Sequence, residues 1–95
     1  MIKVIVNPNE ISIMGHAMYE SYGKDIVCAA CSSIVTTTVN GILKLDKDAI
    51  SYKQTEEGII INKKKDNDIT NNLLLNMIDL LKELEESYPK NISVK

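Results

Sequence analysis

The chain has 95 residues, a net charge of −2 and a hydrophobic fraction of 44%, which suits one globular domain spanning 1–95 rather than a disordered tail. Every basic residue is Lys, and Phe and Trp are absent. Guanidinium clamps are therefore excluded, and with only four Tyr left a base-stacking platform is poorly supported, so direct nucleic-acid binding is not expected. No run is expected to reach the ~20 apolar residues that span a bilayer, and the opening MIKVIVNPNE lacks an apolar leader. These features point to a cytoplasmic protein with no membrane association, in which two nearby cysteines stay as thiols.

In chain order, Ile2, Val4 and Val6 alternate with Lys3 and Ile5, which predicts a β-branched strand buried on both faces. Asn7-Pro8-Asn9 predicts a turn, and Ile11 and Ile13 a second strand antiparallel to the first. Met14 to Gly23 lacks a clean period and reads as a loop. From Ile26 to Asn40 the spacing of Val27, Cys31, Ile34, Val35 and Thr38 favours a helix capped by Asp25 and stopped at Asn40-Gly41. The β-branched run Ile34 to Val39 argues for strand instead; periodicity decides for helix.

Ala49–Lys53 and Ile59–Asn62 read as strands joined by the hairpin Thr55-Glu56-Glu57-Gly58, followed by a charged connector from Lys63 to Asn67. Ile69, Leu73, Met77, Leu80, Leu81 and Leu84 mark a long amphipathic helix ended by Pro89. Leu74, Leu75 and Ile78 widen its apolar stripe, so it is either deeply buried or partly covered by another chain. Ile92 to Val94 predicts a short edge strand. The fold class is α/β in the α+β sense: a small, mainly antiparallel sheet covered by two helices, in the order ββαββα with a possible final β. A domain of this size buries only ~60–65% of its unfolded surface, so dimerisation would be a natural supplement.

The only His and both Cys fall in Gly15-His16-Ala17 and Gly23-Lys24-Asp25-Ile26-Val27-Cys28-Ala29-Ala30-Cys31-Ser32. Three chemistries compete for this segment. A helix starting at Asp25 places Cys28 in its first turn, where free N–H groups favour a thiolate and could hold an oxyanion, with His16 as the base. Ser32, one turn on, would hydrogen-bond into that site. Zinc-dependent deamination needs H-x-E and P-C-x-x-C, but Met18 stands in place of the Glu and Val27 in place of the Pro. Dithiol redox chemistry has the C-x-x-C spacing alone. Against all three stands a packing role, since Cys is among the most buried residue types and a lone His is often structural.

These two separated motifs, continued through Ser33-Ile34-Val35 and Asn40-Gly41, resemble the ribosomal-processing cysteine protease family, Prp. The likeness runs from Gly15 to about Gly41, under a third of the chain, and the N-terminal strand pair and late leucine-rich helix agree with it. The resemblance implies that His16 is the catalytic base and Cys28 the nucleophile, with Asp25 and Ser32 in supporting polar positions. It implies that Gly15 and Gly23 bracket a segment that closes over bound peptide. It further implies a homodimer that needs no metal or cofactor. The implied reaction is removal of the N-terminal extension of large-subunit ribosomal protein bL27, with hydrophobic and aromatic residues before the cut. The family usually carries an apolar residue such as Val where this chain has Cys31. The opposing expectation is a non-enzymatic, ribosome-associated binding module in which Cys28 and His16 are only structural.

Overall fold

A computed structural model of the chain describes residues 1–15 and 22–95, with the backbone alone described over 22–25. Its elements are β1 (Ile2–Val6), β2 (Glu10–Met14), α1 (Tyr22–Leu45), β3 (Ile50–Gln54), β4 (Gly58–Lys63), α2 (Asp68–Ser87) and β5 (Ile92–Val94). The α+β class and the order ββαββα with a closing strand are as the sequence predicts. The strands form one mixed sheet in the order β3-β4-β2-β1-β5. Each neighbouring pair is antiparallel except β1 and β5, which run parallel.

The expectation that β1 is buried on both faces is corrected. Ile2 and Val4 are buried while Lys3 and Ile5 are exposed, because both helices lie on the side of the sheet that Ile2 and Val4 face. The core is the seam between them: Val4, Ile13 and Ile61 from the sheet, Val35 and Ile42 from α1, Met77 and Leu81 from α2.

Helix α1 is longer at both ends than the sequence suggests. It begins at Tyr22, so Asp25 lies inside its first turn and is not its cap. It also runs through Asn40-Gly41 to Leu45. A glycine inside a helix costs about 1 kcal/mol, whereas burying Ile42 contributes about 2–3 kcal/mol, so continuation wins. Ile42 is in fact 1% exposed. The same balance turns the β-branched run helical: Val35 and Val39 are buried, and burial outweighs propensity. Contrary to expectation, Ile26–Leu45 is long and apolar enough to cross a membrane, with a mean hydropathy of 1.7. A core helix has this property too, and here Val27, Cys31, Val35, Val39 and Ile42 form a buried stripe.

Helix α2 starts at Asn67, whose side-chain Oδ1 accepts the Thr70 N–H at 2.8 Å, and it closes with the Tyr88 N–H donating to the Leu84 carbonyl. Its buried face is Thr70, Leu74, Met77, Ile78 and Leu81. That corrects the predicted stripe, since Ile69 and Leu80 are exposed together with Leu75. With nine apolar positions crowded into five turns, periodicity alone could not choose which of them faced inward.

Two substitutions test this account by urea denaturation. Asn67→Ala removes the cap and should cost about 1 kcal/mol. Leu81→Ala, at a position with no exposed surface, should cost about 2–5 kcal/mol through the cavity it leaves. A smaller effect of Leu81→Ala than of Asn67→Ala would contradict the placement of the core.

Candidate active site

The site is built on the second turn of α1 and the strand ends that face it. Cys28 is half-buried, Cys31 is buried, and Ser32 is exposed. All three line one cavity of about 110 Å³, together with Ile2, Ile13 and Gly15 from the first hairpin and Gln54, Thr55 and Gly58 from the second. The structure therefore brings together Cys28, Ser32 and Gly15 of the predicted residues. His16 lies outside the described residues, as does most of the segment bracketed by Gly15 and Gly23. Gly23 and Asp25 are on the first turn of α1.

Cys28 is the seventh residue of the helix, so its own N–H is already committed to the carbonyl four residues back. The unpaired N–H groups belong to the turn before it. The expectation that Cys28 sits in the first turn, with free backbone N–H groups to hold an oxyanion, is corrected accordingly. The helix starts about one turn upstream of the Asp25 cap that the expectation assumed.

The two thiols differ in kind. Burial first, and the neighbouring Cys28 second, push the Cys31 thiol from its ordinary 9.0 to about 11. It behaves as a small hydrophobe in the stripe with Val27 and Val35. Cys28 is the sulfur that solvent and ligands can reach. Among the described residues, no three His, Cys, Asp or Glu side chains gather as a metal site.

The β3–β4 hairpin forms the opposite wall, and sequence reasoning missed it. The Thr55 hydroxyl oxygen accepts the N–H groups of Glu57 and Gly58 at 3.1 and 3.2 Å, which fixes the turn. The Glu57 carbonyl then accepts the Gly15 N–H at 2.8 Å and ties the end of β2 to the hairpin tip. Two glycines let the chain pack closely at this end of the sheet, Gly15 against Met1 beside β1 and Gly58 against β2. Gly15 has φ +91°, and a Cβ there would lie 2.5 Å from the Met1 carbonyl oxygen. A Cβ at Gly58 would strike the Ile13 carbonyl oxygen. Thr55-x-x-Gly58 was legible as a turn, but only the strand order β3-β4-β2 brings it beside Cys28.

A thiol that solvent can reach, a small cavity beside it and a fixed hairpin opposite are features that a cysteine nucleophile enzyme on an α+β frame needs. Comparison with known proteins narrows this. The family model described as cysteine protease Prp matches residues 1–93. The ribosomal processing cysteine protease Prp of Staphylococcus aureus is 31% identical over 86 residues, covering 87% of this chain and 81% of that protein. Its namesake from Mycoplasma genitalium is 36% identical over 56 residues, covering 59% and 54% of the two chains. The structure of the S. aureus protease with a substrate peptide superposes with a TM-score of 0.82 at 28% identity, covering 99% of this chain and 95% of that one. A second S. aureus structure, with a covalently linked product peptide, gives a TM-score of 0.80 at 29% identity over 99% and 95% of the two chains. The chain belongs to the Prp family of ribosomal-processing cysteine proteases. It is a cysteine protease, and the reading as a non-enzymatic binding module falls away.

The contrast between the thiols sets a pH test. The unfolded chain releases the Cys31 proton near its ordinary 9.0, while the folded chain holds it to about 11. The folded state thus binds more protons in that window, and the stability present below it falls as pH rises through it, by about 2–3 kcal/mol at most. Cys31→Val should remove this part of the alkaline loss, read as the difference between the two proteins in urea unfolding on either side of the window. An unchanged alkaline slope in Cys31→Val would contradict the assignment.

Proposed function

We propose that this protein removes the N-terminal extension of the bL27 precursor, with Cys28 as nucleophile and His16 as general base. Cys28 thiolate attacks the scissile carbonyl, His16 protonates the departing amine, and water activated by His16 hydrolyses the thioester. The observation that carries this reading is the pairing of an accessible Cys28 with a cavity walled by the fixed hairpin, in a chain of this protease family. The Gly15 N–H is held by the Glu57 carbonyl, and His16 is the next residue in the sequence. Ser32, one helical turn from Cys28 on the cavity wall, supplies a hydroxyl to the site. Asp25 is a supporting polar residue on the preceding turn, and Gly15 and Gly23 flank the segment that closes over bound peptide.

The reading includes a homodimer and a cytoplasmic location. Exposed Ile69, Leu75 and Leu80 on α2 favour the dimer, since such apolar area is costly to leave wet. The substrate peptide bound by the S. aureus relative supports a peptide partner here. No metal or organic cofactor enters the reaction, and neither membrane nor nucleic acid is a partner.

Incubation with the unprocessed bL27 of the same cell, read by mass spectrometry, should give one cut that Cys28→Ala abolishes and Cys31→Val leaves near the wild-type rate. Equal loss in the two variants, with folding intact by circular dichroism, would overturn the Cys28–His16 assignment in favour of dithiol chemistry. Activity should also fall on acidification through about pH 6.5, where an ordinary imidazole takes up its proton and ceases to act as base. A flat kcat/KM from about pH 5 to about pH 9, a range that crosses the ordinary imidazole value and reaches the ordinary thiol value, would remove both groups from the chemistry.

A further inference from the structure

The sheet has two edges, and they are finished differently. At the β5 edge, the Lys95 N–H donates to the Val4 carbonyl and the Val6 N–H to the Lys95 carbonyl, both at 2.8 Å. Alternation then turns the Val94 N–H outward. It donates to the Glu85 carboxylate at 3.1 Å, so a side chain from α2 closes that edge. The β3 edge has no such closure among the described residues. Thr55 and Gly58 exchange both backbone hydrogen bonds, at 2.7 and 3.3 Å. In an antiparallel ladder such pairs alternate, so Ser51 and Lys53 face β4 while the N–H and C=O groups of Tyr52 and Gln54 point away from the sheet. The strand is exposed from Ser51 to Gln54. Its last residue, Gln54, lines the cavity that holds Cys28.

An open strand edge is a template for another extended chain. It is retained here at the edge that leads to the nucleophile and closed at the edge that does not. We propose that the free edge of β3 is the docking rail for the substrate, an extended peptide that adds to the sheet beside Tyr52 and Gln54 and so delivers its scissile carbonyl to Cys28. This rests on the proteolytic reading given above. Main-chain pairing supplies affinity without regard to sequence, and the alternate side chains that fall on the helix-covered side supply selectivity through the cavity. Tyr52 shares that side with Ile61, yet is 47% exposed, so its ring is available to the incoming chain.

The test uses the full chain and a synthetic peptide spanning the bL27 extension and its cut, N-methylated at one position at a time away from the scissile bond. Methylation at alternate positions should raise KM about tenfold, the worth of roughly one hydrogen bond, while the positions between should leave it near that of the parent peptide. In Cys28→Ala saturated with the parent peptide, the Tyr52 and Gln54 amides should gain protection from hydrogen exchange, with Ser51 and Lys53 little changed. A peptide that is cut in a Cys28-dependent way, but whose methylation profile has no period and whose β3 amides gain no protection, overturns this inference and leaves the protease reading standing. A peptide that is neither bound nor cut overturns both.

Discussion

The sheet of this protein has one covered face, and two helices must share it. Everything about the site depends on that restriction. Val27, Cys31, Val35, Val39 and Ile42 form the stripe that α1 presses into the core, which fixes the rotation of the helix about its axis. At ~100° per residue, Cys28 and Cys31 are separated by only about 60° around the helix. That rotation is enough to leave one thiol half-buried and the other 3% exposed. Ser32, one turn beyond Cys28, falls on the same rim for the same reason. Accessibility of the Cys28 thiol is thus a by-product of core packing.

The fold was largely readable because its strands are short, β-branched and bounded by turn residues, and because alternation in Ile11-Ser12-Ile13 leaves little choice of face. Helix boundaries were less legible. Local signals at Asp25 and Asn40-Gly41 announce ends that the chain overrides, since Ile42 gains more from burial than Gly41 loses in the helix. On α2 the failure was of another kind: Ile69, Leu75 and Leu80 are as apolar as Leu74, Met77 and Leu81, and only the position of the sheet separates the two sets.

Around the cavity, helical spacing put Ser32 on the same side as Cys28, and the family's motifs singled out Cys28 and Gly15, whereas nothing marked Gln54, Thr55 and Gly58 as its lining. They come from a hairpin more than twenty residues downstream of Cys28, and nothing local marks them as neighbours of a thiol. Their arrival depends on β4 pairing with β2, Met14 opposite Gly58. The closeness of that pairing in turn depends on Gly58, where a Cβ would strike the Ile13 carbonyl oxygen of β2. Such residues are read from topology, not from pattern.

The parallel pairing of β1 with β5 has a kinetic side. Ile2 lies opposite Ile92 and Val4 opposite Val94, so one of the earliest strands made is completed by one of the latest. Closing so long a loop carries an entropic penalty that local hairpins avoid, and non-local pairing of this type slows folding. During synthesis, β1 can pair with β2 while its other edge waits for residues 92–94 to emerge. Ile2, on the cavity wall beside Cys28, is therefore held only from one side until then. The pairing that holds Ile2 from its second side joins the most distant strands among the described pairs, so this part of the cavity wall is completed late in folding.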